Sequence, residues 1–299
     1  TLTQRLAGRS YKMAISLGGG GSASVINETI DINSAENLIT LADGRVYLKG
    51  GVTETNVSAY PDATQGFSYT GTNFSTAGQT NEQQDIGWDG TFFWVLDDQN
   101  NRVLKYTAAG TYQTSFITGG QDGSMWGIVC VGTDFYIVGN GNGKVYKYNS
   151  AGVFQSDFSV AAEGNARKGI TYDGTYLWVL NAGSVYKYTT AGVYQNVSFS
   201  VYAQDSNGSG IAWDGTSFWV VGSTTDSIYK FNSSGVYQNV SFSVASQGLK
   251  PLGVVWDGSS LWTVDEDAQK AFQYRDQLGV VSVSAALAAL GQQNYIRIK

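Results

Sequence analysis

The chain has 299 residues, 42% of them hydrophobic and only 14% charged, with 38 glycines, 2 prolines and a formal net charge of −6. That acidity opposes contact with a phosphate backbone, so nucleic acid is not an expected partner. Histidine is absent and Cys130 is the sole cysteine, which excludes Ser-His-Asp catalysis, imidazole or multi-thiolate metal sites and an internal disulfide.

Residues 1–37 show no repeat and are expected to be an N-terminal attachment segment. Thr1 to Met13 is polar, with Arg5, Arg9 and Lys12, and lacks the apolar run of a secretory signal. No segment reaches the ~18 apolar residues of a membrane span. Gly18 to Gly21 reads as a flexible joint. A propeller is expected over residues 38–278. Ile39 to Leu48 imitates a strand, an Asp43-Gly44 turn and a second strand, which leaves room for a degenerate sixth blade over 38–79. The favoured alternative is that residues 67–76 are an outer strand that closes the ring by pairing with the last blade.

From Gly87 onward the chain repeats one pattern: a small residue, an aliphatic one, a variable one, an aromatic one, Asp-Gly, then Trp five residues after the Asp. The copies are Trp88-Asp89-Gly90 with Trp94, Tyr172-Asp173-Gly174 with Trp178, Trp213-Asp214-Gly215 with Trp219, and Trp256-Asp257-Gly258 with Trp262. A worn copy has Cys130-Val131-Gly132 with Tyr136. The glycines Gly90, Gly132, Gly174, Gly215 and Gly258 are 42, 42, 41 and 43 residues apart. A period of about 40 to 45 residues holding four short strands is the signature of a β-propeller. The expected fold is therefore all-β, with five clear four-stranded blades and non-repeat segments at both ends.

Within a blade each part has a mechanical reading. In the fourth copy, Gly210 to Trp213 is the innermost strand, Asp214-Gly215 a tight turn, Phe218 to Val221 the second strand, Ile228 to Phe231 the third, and Val236 to Val244 the outer one. The Asp residues are read as turn formers and the tryptophans as packing between blades. Lys105, Lys147, Lys187 and Lys230 recur in the third strand and are read as snorkelling side chains, with Gln273 in the last copy. Cys130 occupies the aromatic slot of its strand and is read as an inert thiol. After the last copy, residues 279–299 again lack the repeat. There a short Ala/Leu stretch over 285–290 is too brief to be a stable helix alone, and Tyr295 to Lys299 reads as a strand.

The loops between second and third strands vary most, and loops on one rim of a rigid scaffold are where binding groups are expected. The candidate ligand-binding residues are Asp97, Asp98, Asn100, Asn101, Asn140, Asn142, Asn181, Asp226, Asp265, Glu266 and Asp267. Asp97 with Asp98, and Asp265 to Asp267, are oxygen-rich enough to consider Ca2+, although neither has EF-hand spacing. No other cofactor is expected, and no catalytic residue is assigned.

Two family resemblances add to this reading. Val95 to Tyr106, with its Asp…Asn-Asn-Arg-Val turn, resembles the NHL class of propeller repeat; in that class the Asp and Asn mainly shape the turn. Asp43 to Asp62 resembles a segment of tail-fibre and other virion proteins of tailed bacteriophages, and Tyr295 to Lys299 is similar to C-termini of the same proteins. The resemblance implies a multi-copy virion protein, at the tail or exterior, made in the host cytoplasm. Its termini would dock on other virion proteins, and its propeller would meet a host-surface glycan or receptor. The expectation is a non-enzymatic recognition protein. The alternatives are a purely structural decoration or joining protein, and a carboxylate-dependent glycan-degrading enzyme.

Overall fold

The structure, a computed structural model, describes residues 67–118, 120–164 and 166–276 in full. In the flanks it describes the strands at 10–16, 25–31, 38–40, 46–50, 53–57, 282–284 and 297–298. The expected Gly18–Gly21 joint and the Ala/Leu stretch at 285–290 lie outside the described residues. The chain divides into two compact units, Thr1–Gly66 with Asp276–Lys299, and Phe67–Arg275.

In the first unit, β1 (Ser10–Ser16) pairs antiparallel with β2 (Val25–Asp31), and β3 (Leu38–Thr40), β4 (Val46–Gly50) and β5 (Thr53–Val57) form a three-stranded sheet. β3, β4 and β5 thus make a sheet of their own, and the ring has five blades in place of the alternative six.

The second unit is the propeller. It opens with β6 (Phe67–Ser75). The first blade is β7 (Gln83–Trp88), β8 (Phe92–Asp97), β9 (Arg102–Thr107) and β10 (Tyr112–Ile117). The second is β11 (Met125–Val131), β12 (Asp134–Gly139), β13 (Lys144–Tyr148) and β14 (Phe154–Ser159). The third is β15 (Arg167–Tyr172), β16 (Leu177–Asn181), β17 (Ser184–Tyr188) and β18 (Tyr194–Ser200). The fourth is β19 (Gly208–Trp213), β20 (Ser217–Gly222), β21 (Ser227–Asn232) and β22 (Tyr237–Ser243). The fifth is β23 (Pro251–Trp256), β24 (Leu261–Asp265) and β25 (Lys270–Asp276), and its outer strand is β6. The chain's own early strand thus completes the last blade, which removes the open edge a linear array would leave. Two short strands follow, β26 (Ser282–Ser284), which pairs parallel with β1, and β27 (Arg297–Ile298), antiparallel to β26.

The first strands of the blades, β7, β11, β15, β19 and β23, touch one another in a closed cycle and surround the axis. Their aliphatic positions and the aromatic second strands fill five clusters, each built from adjacent blades. Trp94, Trp178, Trp219 and Trp262 are all buried there. Outer strands expose most of one face, as the polar alternation of Tyr237 to Ser243 requires. The meander gives the ring two unlike rims. One carries the Asp-Gly turns and the turns before the outer strands; the other carries the second-to-third-strand loops and the connections between blades.

Candidate functional site

On the loop rim, two main-chain hydrogen bonds recur in every blade. The amides of Asp98, Asn140, Ala182, Ser223 and Glu266 donate to the carbonyls of Glu82, Ser124, Ala166, Asn207 and Lys250. The carbonyls of Asn101, Gly143, Gly183, Asp226 and Gln269 accept from the amides of Thr118, Val160, Val201, Val244 and Thr76. Because backbone groups make these ties, loop side chains can vary without changing the loop. Asn101 and Asp226 are the left-handed residues of their turns, at φ 47° each, a conformation that Asn and Asp tolerate. Among the described residues each keeps a buried side-chain oxygen without a partner, as does Asn140.

A second device joins loop to connection. In the first blade Asp97, fully buried, ends β8 and accepts from Thr80 Oγ1 at 2.7 Å, Asn100 Nδ2 at 2.9 Å and Arg102 Nε at 2.8 Å. In the fifth, Asp265 at the end of β24 accepts from the amides of Lys250 and Ala268. In the third, Asn181 accepts from the amide of Ala166 and donates to the carbonyl of Glu163. In the second and fourth blades the equivalent strand ends are Gly139 and Gly222. There the carboxylate comes from the incoming connection. Asp122 accepts from the amides of Ser124 and Asn142, and Asp205 from the amides of Asn207, Thr224 and Thr225. The exchange is steric. A Cβ on Gly139 would stand 2.3 Å from the Asp122 carboxylate, and one on Gly222 2.4 Å from that of Asp205. Conversely, a Cβ on Gly248 would stand 2.1 Å from the Asp265 carboxyl carbon. One acidic or amide group therefore occupies the same spot in all five blades, from either side.

The remaining candidates are placed as follows. Asp98 accepts from the amide of Met125 at 2.7 Å, and burial pushes its carboxyl above the usual range. Asn142 donates to the carbonyl of Gln121, Glu266 pairs with Lys250 at 2.6 Å, and Asp267 is exposed. Asp97, Asn181 and Asp265 thus hold the rim together from within, while Asp267 faces solvent. Among the described residues no cluster of three His, Cys, Asp or Glu groups could hold a metal ion.

The turn rim is wired differently. In four blades the repeated Asp uses one oxygen to cap its own turn and the other to accept a tryptophan indole N–H. Asp89 binds the amides of Thr91 and Phe92 and Trp94 Nε1, at 2.8, 2.7 and 2.7 Å. Asp173, Asp214 and Asp257 make the same three bonds, the last to Trp178, Trp219 and Trp262. The five-residue spacing from Asp to Trp is thus the reach of a charge-assisted hydrogen bond. Lys105, Lys187 and Lys230 lie directly across from those tryptophans in the pairing register and stand over ring faces.

At the centre of this rim the axis opens into a cavity of about 140 Å³. Its mouth is set by Trp88, Tyr172, Trp213 and Trp256, each the last residue of its inner strand, and by Cys130, the next to last of β11, all half-buried. Three residues earlier on the same strands stand Gly127, Gly169, Gly210 and Gly253, where neighbouring backbones nearly touch. A Cβ on Gly210 would meet the Leu252 carbonyl at 2.5 Å. In the first blade this slot holds Asp85. It is buried and accepts from the amides of Ile86 and Ile128 at 2.9 and 2.8 Å, and also from Val254. Burial holds its carboxyl well above the ordinary range despite those donors. Sequence reading missed Asp85, Asp122 and Asp205. Counting the repeat from Gly87 hides the first, because Gly87 occupies the variable slot and Asp85 the small-residue slot. The glycines at 139 and 222, where other blades have Asp or Asn, were the available signal for the other two.

No known protein family and no curated protein matches the sequence. Solved structures do match in shape. Glutaminyl cyclase of Myxococcus xanthus is 10% identical, aligned over 68% of this chain and 93% of that one, with a TM-score of 0.53. Virginiamycin B lyase of Staphylococcus aureus is 15% identical over 85% and 87% of the two chains (TM-score 0.44), and a streptogramin B lyase 14% identical over 89% and 96% (TM-score 0.44). At these identities the likeness shows the propeller fold alone. It nevertheless corrects the expectation of a non-enzymatic chain. Glutaminyl cyclase, matched with a TM-score above 0.5, is an enzyme, so a propeller of this shape gives no ground for excluding catalysis. None of the three is a virion protein. No helix among the described residues is long and apolar enough to cross a membrane.

Proposed function

We propose that the ring is the recognition module of a bacteriophage virion-associated protein, holding a host-surface glycan or receptor while the flanking segments attach it to other virion proteins. The observation that carries the recognition part is the contrast between the rims. On the loop rim most polar candidates are tied into the fold. On the turn rim an axial opening is framed by half-buried aromatic side chains, next to exposed Asp and hydroxyl groups. Aromatic faces with a few fixed polar groups are the usual lining of a small-ligand site. The virion part is supported by the resemblance of Asp43 to Asp62 and Tyr295 to Lys299 to tail-associated proteins. Several copies on one particle would raise avidity from weak single sites.

Incubating the protein with a panel of bacterial surface polysaccharides, followed by pull-down and chain-length measurement, tests this reading. Retained polysaccharide supports it, and shortened chains would add turnover to recognition. If nothing is retained, the reading is overturned in favour of a structural decoration or joining role.

A further inference from the structure

One junction on the turn rim differs from the other four. In the second blade the repeat is broken at three points together: Cys130 replaces the mouth aromatic, Val131 the turn Asp, and Tyr136 the tryptophan. Breaks in an otherwise consistent pattern are where function is expected to override regularity. Here the break has a physical result. A groove of about 270 Å³ lies between the first and second blades, and Cys130 lines both it and the axial cavity. At the junction of the third and fourth blades the corresponding position is Trp213, whose ring packs on Phe218 at 4.6 Å.

The groove's polar groups are arranged in pairs. On the first blade, Lys105 Nζ stands 3.7 Å from the Phe92 ring centre, and among the described residues it has ring partners but no ion-pair partner. Beside it the exposed Asp89 carboxylate holds Trp94 Nε1. On the second blade, Asp134 pairs with Lys147 at 2.8 Å, and Thr133 and Ser150 are exposed. Two carboxylates and two ammonium groups leave the site locally neutral. Acceptors and donors lining one groove beside an aromatic ring suit sugar hydroxyls, each of which both donates and accepts.

We infer that this groove binds one neutral sugar residue of a glycan, with Lys105 and Asp89 meeting neighbouring hydroxyls and Cys130 leaving the space the ring enters. The inference rests on the recognition reading above and names its site and ligand class. Blade three supplies an internal control. Lys187 has the same ring contacts, 3.9 Å from Tyr176 and 5.1 Å from Trp178, but faces the junction that Trp213 occupies.

The test measures binding of the retained polysaccharides, and of glucose, galactose, mannose and N-acetylglucosamine singly, by saturation-transfer NMR on the full chain. Wild type, Lys105→Met, Lys187→Met and Cys130→Trp are compared. Lys105→Met is expected to weaken binding about tenfold or more, the effect of losing one charged hydrogen-bond partner, while Lys187→Met leaves it unchanged. Cys130→Trp is expected to abolish it; should that variant fail to fold, the lysine pair decides. If wild type binds sugar and Lys105→Met binds equally well, this site is overturned while the recognition reading survives. If wild type binds none of the polysaccharides or sugars, both fall.

Discussion

On the turn rim one sequence position supplies the same carboxylate in four blades out of five, and the second blade lacks it. On the loop rim the capping group moves between two chain positions, yet every blade has one. Asp97, Asn181 and Asp265 supply it from the end of the second strand, and Asp122 and Asp205 from the connection. The rim that varies in sequence is thus constant in structure, and the rim that repeats in sequence carries the one structural break. Variability among repeats measures how many ways a contact can be built as well as where ligands bind.

Substitutions at the loop-rim cap give the largest expected effects. Asp97→Ala leaves Arg102, Thr80 and Asn100 without their acceptor in a buried spot. It is expected to cost about 3–5 kcal/mol of unfolding free energy, measured by denaturant titration of the ring. A loss below about 1 kcal/mol would mean that the cap is dispensable. The turn-rim equivalent is expected to be smaller, because its site is nearer solvent. Asp214→Ala removes two amide bonds and one hydroxyl bond of the turn and the Trp219 indole bond, and about 2 kcal/mol is expected in the same assay. Val131→Ala, at the position where the second blade has no carboxylate, should cost no more than about 1 kcal/mol.

Asp85 predicts a pH dependence in place of a single cost. Burial raises its folded-state pKa, so its contribution is fully present below the unfolded value near ~3.9 and is lost as pH rises through the folded value. The difference in stability between wild type and Asp85→Asn should therefore shift in favour of wild type as pH falls from neutral toward 4, followed by thermal unfolding. A difference that is flat with pH would contradict the burial of that carboxyl. The smallest effect is expected at Asp267, whose exposed replacement by Asn should change stability by no more than ~0.5 kcal/mol.

Much of the ring was legible because its causes are local and periodic. The Asp-Gly turns, the strand alternation and the spacing of Gly90 to Gly258 each follow from residues within one repeat. Phe74 to Gln79 is similar to Phe116 to Gln121 at the end of the first blade, which pointed to an outer strand there, and β6 takes that place in the last blade. The five-residue step from Asp to Trp was visible, but its hydrogen bond was not, since a buried tryptophan is explained by packing alone. The loop-rim cap was hidden for a different reason. Asp122 and Gly139 are seventeen positions apart, and only the fold shows that they share one site. Loop composition therefore drew attention to Asp97, Asn181 and Asp265 as ligand contacts, where the structure has them bonding to the ring itself.

The most direct test of the shared cap is a double-mutant cycle at Asp205 and Gly222. Gly222→Asp alone forces a second carboxylate against Asp205 and is expected to cost about 3 kcal/mol; Asp205→Gly alone leaves the amides of Asn207, Thr224 and Thr225 without an acceptor. The account predicts that the double variant, which rebuilds the arrangement of the fifth blade, recovers most of both losses, with a coupling of about 2 kcal/mol or more. Additive losses would contradict it, because the two positions would then not be alternative sources of one group.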